Sequence, residues 1–100
     1  MSSQFTTTPA TRITVVESEA CPFCEQARSS LAELAVTYPL LIDIIDARSE
    51  QGHSLMQSHR ASMSPLVLLD GQFFSNGRLP RRKLTRLLDE RLNDASAPVG

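Results

Sequence analysis

The sequence predicts a single α/β domain whose elements run β-α-β-α-β-β-α, with a four-stranded mixed sheet flanked by helices. Three observations predict it. The runs "RITVVES", "LLIDIID" and "PLVLLD" are β-branched and aliphatic, the composition of buried strands. Between them, and after the last, apolar residues recur at spacings of three and four, the period of a helix that packs by one face. Asp70–Gly71 then marks a two-residue hairpin turn, which adds a strand without a helix between. A chain of 100 residues fits one such domain.

Residues 1 to 11 are rich in Ser and Thr and read as a flexible lead-in, followed by a domain over 12 to 93 and a flexible tail over 94 to 100. The first strand takes Ile13, Val15 and Val16. After Cys21, the residues Phe23, Ala27, Leu31, Leu34 and Ala35 form the apolar stripe of the first helix, with Glu25, Arg28 and Glu33 on its wet side. Pro22 falls in the first turn, where its missing N–H would have had no partner in any case. Tyr38 and Pro39 end this helix. "LLIDIID" is nearly continuous apolar sequence and predicts a strand covered on both faces. Ser49 is placed to cap a second helix through His59, one that Gly52 weakens. "PLVLLD" and a short strand near Gln72 to Ser75 form the hairpin. Leu84, Leu87, Leu88 and Leu92 mark a closing helix from about Pro80 to Asn93. The first two strands are expected to pair in parallel through a crossover and the last two antiparallel.

Composition excludes several classes of function. A net charge of −1 lacks the positive surplus of a general nucleic-acid binder. No apolar run approaches the roughly 20 residues needed to cross a bilayer, and "MSSQFTTTPATR" has no secretory apolar stretch. The expected setting is the cytoplasm, as a monomer. Thiols are kept reduced there, and a bridge between residues three apart closes too small a loop to stabilise much.

The chain's two cysteines, Cys21 and Cys24, therefore call for chemistry rather than stapling. Cys21 falls where the first strand gives way to the first helix. Free backbone N–H groups and the helix dipole favour an anion there, and the thiolate is the form that attacks a disulfide. Cys24, one turn further in, is near enough to close a bridge and less open to solvent.

"CPFC" after a strand, the "SP" of Ser64–Pro65 opening a later strand, and the element order together resemble the thioredoxin superfamily, nearest its glutaredoxin-like branch. The likeness spans about residues 12 to 93. "PLVLLDGQFFSNGRL" before a short helix is also similar to small bacterial glutaredoxin-like proteins. The resemblance implies a thioredoxin-like fold and a thiol–disulfide oxidoreductase in which Cys21 attacks and Cys24 resolves. It implies a cis Pro65 facing the cysteines, with the Ser64 backbone pairing to an extended substrate and Pro22 and Phe23 at the site. No tightly bound cofactor or metal is implied. The partners are a disulfide-carrying protein or low-molecular-weight thiol and an external reductant, a thiol or a flavin reductase.

The chain departs from glutathione-using glutaredoxins at two places. It carries Glu17, Ser18 and Glu19 where they have a basic residue, and "SNGRLPRRK" where they have Gly-Gly and an acidic pair. Carboxylates near Cys21 are expected to oppose its ionisation. The run Arg78, Arg81, Arg82, Lys83 and Arg86 reads as a solvated face or as an anion-binding corner, for a carboxylate of a thiol or an acidic patch on a partner. Phe23 is expected in core packing and His59 at the core edge, with His53 solvated. Two alternatives stand beside the redox reading: a binding or adaptor module with a passive cysteine pair, and a metal or cluster protein. For the latter, only His53 and His59 are available to complete zinc's four ligands.

Overall fold

The computed structural model describes residues 10–96, and the side chains of 10–93. Most of the expected lead-in and the side chains of the expected tail lie outside the described residues. The elements are β1 (Thr11–Glu17), α1 (Pro22–Thr37), β2 (Leu40–Asp46), α2 (Glu50–Ser58), β3 (Leu66–Leu69), β4 (Gln72–Asn76) and α3 (Arg81–Ser96). Sheet order is β2-β1-β3-β4. β1 pairs in parallel with β2, while β1 with β3 and β3 with β4 are antiparallel, so the sheet is mixed.

Alternation along β1 and β3 supplies two cores. Ile13, Val15, Val67 and Leu69 meet Ala27, Leu31 and Leu34 of α1 and Leu84 and Leu88 of α3. Val16, Leu66 and Leu68 point the other way, where Leu55 and Met56 of α2 cover them. Burying each large aliphatic side chain contributes about 1.5–3 kcal/mol.

The apolar stripe of α1 holds Ala27, Leu31 and Leu34 as expected but departs from expectation at Phe23 and Ala35. Cys24, Ala27, Leu31 and Leu34 are buried, and Tyr38 continues their alternating spacing of three and four just past the helix end. Phe23 is 39% exposed, and Ala35 is exposed as well. Each stands one position, roughly 100° of helix rotation, from that face. Phe23 is thus not core packing, and a cysteine holds its place. Tyr38 leaves the helix with extended backbone, the conformation favoured before Pro39, and its hydroxyl donates to Asp89 of α3.

β2 also departs from the sequence reading. It is an edge strand, and Leu41 and Ile44 are 53% and 47% exposed. The strands covered on both faces are β1 and β3, which lie between others. Leu41 shares the face of Ile45, on which α2 packs, whereas Ile44 alternates onto the other face and lines the cleft beside the cysteines. The fit of α2 is nonetheless close. Ser49 caps it by accepting from the Gly52 N–H at 3.0 Å and donates to the Asp46 carbonyl at 2.7 Å. A Cβ on Gly52 would stand 2.0 Å from that same carbonyl oxygen. Gly52 weakens helix propensity but admits the helix to the sheet.

The hairpin turn is as the sequence predicts, with Asp70 and Gly71 both at positive φ (50° and 86°). Asp70 also accepts the Arg12 N–H at 2.9 Å and pairs with Arg91, which ties the turn to β1 and α3. Those donors, the Arg12 N–H first, hold its carboxyl below the usual range.

Candidate active site

β1 ends at Glu17, and Ser18 to Ala20 turn the chain into α1. Ala20 takes positive φ (49°) to make the turn. Cys21 is the N-cap of α1, its backbone extended, so its side chain sits where Ser or Asp commonly satisfies the first free N–H groups. Its sulfur accepts from the Cys24 N–H at 3.2 Å. The sulfur thus takes the place of a capping oxygen at the first turn. Pro22, at the first helical position, is exposed.

The segment across the site is Ser64–Pro65, whose peptide bond is cis, the isomer that the resemblance implies. The Cys21 thiol donates to the Ser64 carbonyl at 3.7 Å. Ser18 and Ser64 share a hydrogen bond at 2.6 Å between their hydroxyls, linking the end of β1 to the start of β3. Pro65 is buried.

Both cysteines are free thiols in unlike surroundings. Cys21 is half-buried, whereas Cys24 is 2% exposed on the core face of α1. Burial pushes the Cys24 thiol up to about 11, helped by its hydrogen bond with Cys21 and by the Cys21 and Glu17 charges. A cleft of about 410 Å³ opens beside the pair, between the β1–α1 turn and β2, with Glu17, Glu19, Glu25 and Asp46 along it. Most of this acid is matched. Arg28 pairs with Glu17 at 3.4 Å, and Arg48 with Glu19 and Asp46 at 2.8 and 3.0 Å.

The structure thus brings Cys21, Cys24, Ser64 and Pro65 together, with Pro22 and Phe23 following Cys21 on an exposed turn. His53 is exposed and His59 caps the far end of α2. Among the described residues, no three His, Cys, Asp or Glu side chains are grouped to hold a metal ion. Arg78 and Arg81 border a second groove. Arg81 is held by Glu33 at 2.6 Å, so the free positive charge falls on its neighbours. Sequence reasoning missed Ser18, which touches Ser64 across 46 positions. It also missed Gln26, whose amide clasps both backbone groups of Leu79, accepting at 3.1 Å and donating at 3.5 Å. Neither has a local signal beyond a polar residue near the cysteines.

No protein-family model and no curated protein matches the chain. Among solved structures, it is similar to an uncharacterised thioredoxin-like protein from Clostridium perfringens, at TM-score 0.65 and 14% identity over 84% of this chain and 72% of that one. It is also similar to Trxlp from Edwardsiella tarda, at TM-score 0.58 and 21% identity over 79% of this chain and 82% of that one. The fold is thioredoxin-like. No helix among the described residues is long and apolar enough to cross a membrane.

Proposed function

We propose that the chain is a thiol–disulfide oxidoreductase of the glutaredoxin-like kind, reducing protein or mixed disulfides through its CPFC dithiol. The observation that carries this reading is the pairing of a half-buried N-cap sulfur, which receives a backbone N–H, with a second thiol buried one turn behind it.

Cys21, as a thiolate, attacks one sulfur of a substrate disulfide. The substrate S–S bond breaks, the distal sulfur leaves and takes up a proton, and the new bond joins Cys21 to the substrate. Cys24 then loses its proton and attacks the Cys21 sulfur. The mixed disulfide breaks, the second substrate thiol leaves, and a Cys21–Cys24 bridge remains. The protein has given two electrons, and an external thiol or flavin reductase restores them. The two sulfurs are themselves the redox group, so no resident cofactor or metal is needed. The Ser64 carbonyl, which accepts from the Cys21 thiol in the reduced form, is the backbone group beside which an extended substrate pairs. Glu17, whose charge bears on Cys24, takes the Cys24 proton in this scheme. No step requires a second copy, a nucleic acid or a membrane, and the cycle suits the reducing cytoplasm.

The test is turnover of a neutral dialkyl disulfide with two reducing systems side by side, glutathione and thioredoxin reductase with NADPH. One of them is expected to sustain turnover that Cys21→Ser abolishes. Turnover equal to buffer with both, or retained by Cys21→Ser, removes the proposal.

A further inference from the structure

The redox cycle leaves one large feature unused. A groove of about 770 Å³ lies between α1 and the segment entering α3. Its floor is fixed by the Gln26 clasp on Leu79 and by Gln26 donating to Ser30 at 3.3 Å. Arg78, Arg82, Lys83 and Arg86 line it. The Lys83 ammonium rests 5.3 Å above the Phe74 ring. Arg78, Arg82 and Arg86 are exposed, and none has a carboxylate partner among the described residues. Elsewhere the pattern reverses. Arg12, Arg28, Arg48 and Arg91 are each paired with a carboxylate, and among the described residues Arg60 alone outside the groove is without one. A chain of net charge −1 therefore gathers in one groove all but Arg60 of the cations that lack a carboxylate partner among the described residues.

That place is joined to the reactive sulfur. The Gly77 N–H donates to the Pro65 carbonyl at 3.0 Å. Met63 packs on Gly77, its sulfur 3.2 Å from where a Cβ would stand. Ser64, between Met63 and Pro65, contacts Cys21. The groove begins at Arg78, the next residue along. Phe23, two positions after Cys21, and Met63, next to Ser64 in the chain, are 39% and 48% exposed and add apolar surface beside a charged extension.

We propose that this groove docks an acidic polypeptide segment of the protein whose disulfide Cys21 attacks, with acidic residues next to the reacting cysteine lying along Arg78, Arg82 and Arg86. Two things favour a polypeptide over a small anion. Arg82 and Arg86 are one turn apart on one side of α3, roughly 6 Å along its axis, with Arg78 ahead of them, so the cations form a row. Three guanidinium groups and an ammonium also exceed the one or two carboxylates that a small thiol brings. Guanidinium groups match carboxylates with paired hydrogen bonds. At an exposed rim their chief effect is on the rate of encounter and on partner choice.

The inference rests on the redox reading for its kinetic readout, so the experiment has a second arm that does not. Three synthetic peptide disulfides, differing only in whether glutamate, serine or lysine flanks the cysteine, are reduced by the wild-type dithiol. The glutamate peptide is expected to react roughly tenfold faster than the serine peptide and the lysine peptide slower. The glutamate advantage should vanish in the double variant Arg82→Glu, Arg86→Glu. It should also vanish for wild type in high salt, which needs no variant to fold. In the second arm, a fluorescent cysteine-free glutamate peptide is titrated onto Cys21→Ser protein, where binding should exceed that of the serine peptide. Binding there without any turnover of the serine disulfide would sink the redox reading and keep the groove. Equal rates across the three disulfides together with equal binding of the glutamate and serine peptides overturn the groove. So does oxidised glutathione showing the same salt-sensitive advantage while the glutamate peptide shows none.

Discussion

Cys21 and Cys24 are the same residue type, one helical turn apart, and they occupy different media. Cys21 stands at the mouth, half-buried, with an N–H directed at its sulfur. Cys24 lies in the layer beneath, 2% exposed, its thiol pushed up to about 11 chiefly by burial. The difference comes from helix phase. A spacing of three puts Cys24 on the buried face it shares with Ala27, Leu31 and Leu34, and leaves Cys21 as the cap before the helix begins. Four residues therefore hold one half-buried and one buried sulfur, the division that the proposed cycle assigns to attack and resolution.

The largest effect expected from breaking the comparison is on catalysis. Cys21→Ser should lower turnover by about a thousandfold or more, since the nucleophile itself is lost. Cys24→Ser should still complete the first attack and then stall, so intact mass shows one substrate thiol bound per chain. Adducts on Cys24 in the Cys21→Ser protein would reverse the assignment of the two sulfurs.

The second effect belongs to the layer beneath. Leu31→Ala should destabilise the fold by about 2–5 kcal/mol, measured by denaturant unfolding. Phe23→Ala, eight positions earlier on the exposed turn, should cost less than about 1 kcal/mol and act on KM instead. Equal losses of stability would place Phe23 in the core after all.

pH separates the two sulfurs next. The second step needs Cys24 ionised, and burial, the largest cause of its raised value, persists in the mixed disulfide. The rate of that step should therefore climb about tenfold per unit of pH and level only above the ordinary thiol value of 9.0, read by stopped-flow as release from the mixed disulfide. The same shift bears on stability. The folded value lies above the ordinary value of 9.0, so its contribution is fully present below pH 9 and is lost as pH rises through 11. The reduced form should weaken over that window by on the order of 2 kcal/mol, and the oxidised form, with no thiol to titrate, should escape this loss.

The smallest effect tunes the pair. Glu17 is a minor cause of the raised Cys24 value, behind burial and the Cys21 hydrogen bond. Glu17→Gln should move the second step's pH profile slightly downward, while loss of a proton acceptor lowers the rate on the rising limb, where Cys24 still carries its proton. A profile unmoved in both respects would leave Glu17 no part in the cycle.

Local features were legible in the sequence, and long-range ones were not. The element order, the Asp70–Gly71 turn and the Ser49 cap depend on neighbours a few residues away. So does the location of Cys21, because strand and helix signals meet there. The phase of α1 was harder. Phe23 looks more like core than Cys24 does, and only packing against the sheet shows that the cysteine faces inward. "LLIDIID" looked central, because composition registers apolar content and not which neighbours a strand acquires; the edge position of β2 follows from β3 joining β1 on its other side. The Arg81–Glu33 pair spans 48 positions and removed one cation from a cluster that otherwise stayed free. Ser18 with Ser64, and Gln26 with Leu79, likewise meet only once the chain is folded.

Alkylation of the fully reduced protein with iodoacetamide, mapped by peptide mass across pH, tests the division between the two sulfurs most directly. Cys21 is expected to be modified first near neutral pH, while Cys24 in the Cys21→Ser protein, still held up by burial, should become reactive only above the ordinary thiol value of 9.0. Equal modification of both at neutral pH, or Cys24 ahead of Cys21, would contradict it.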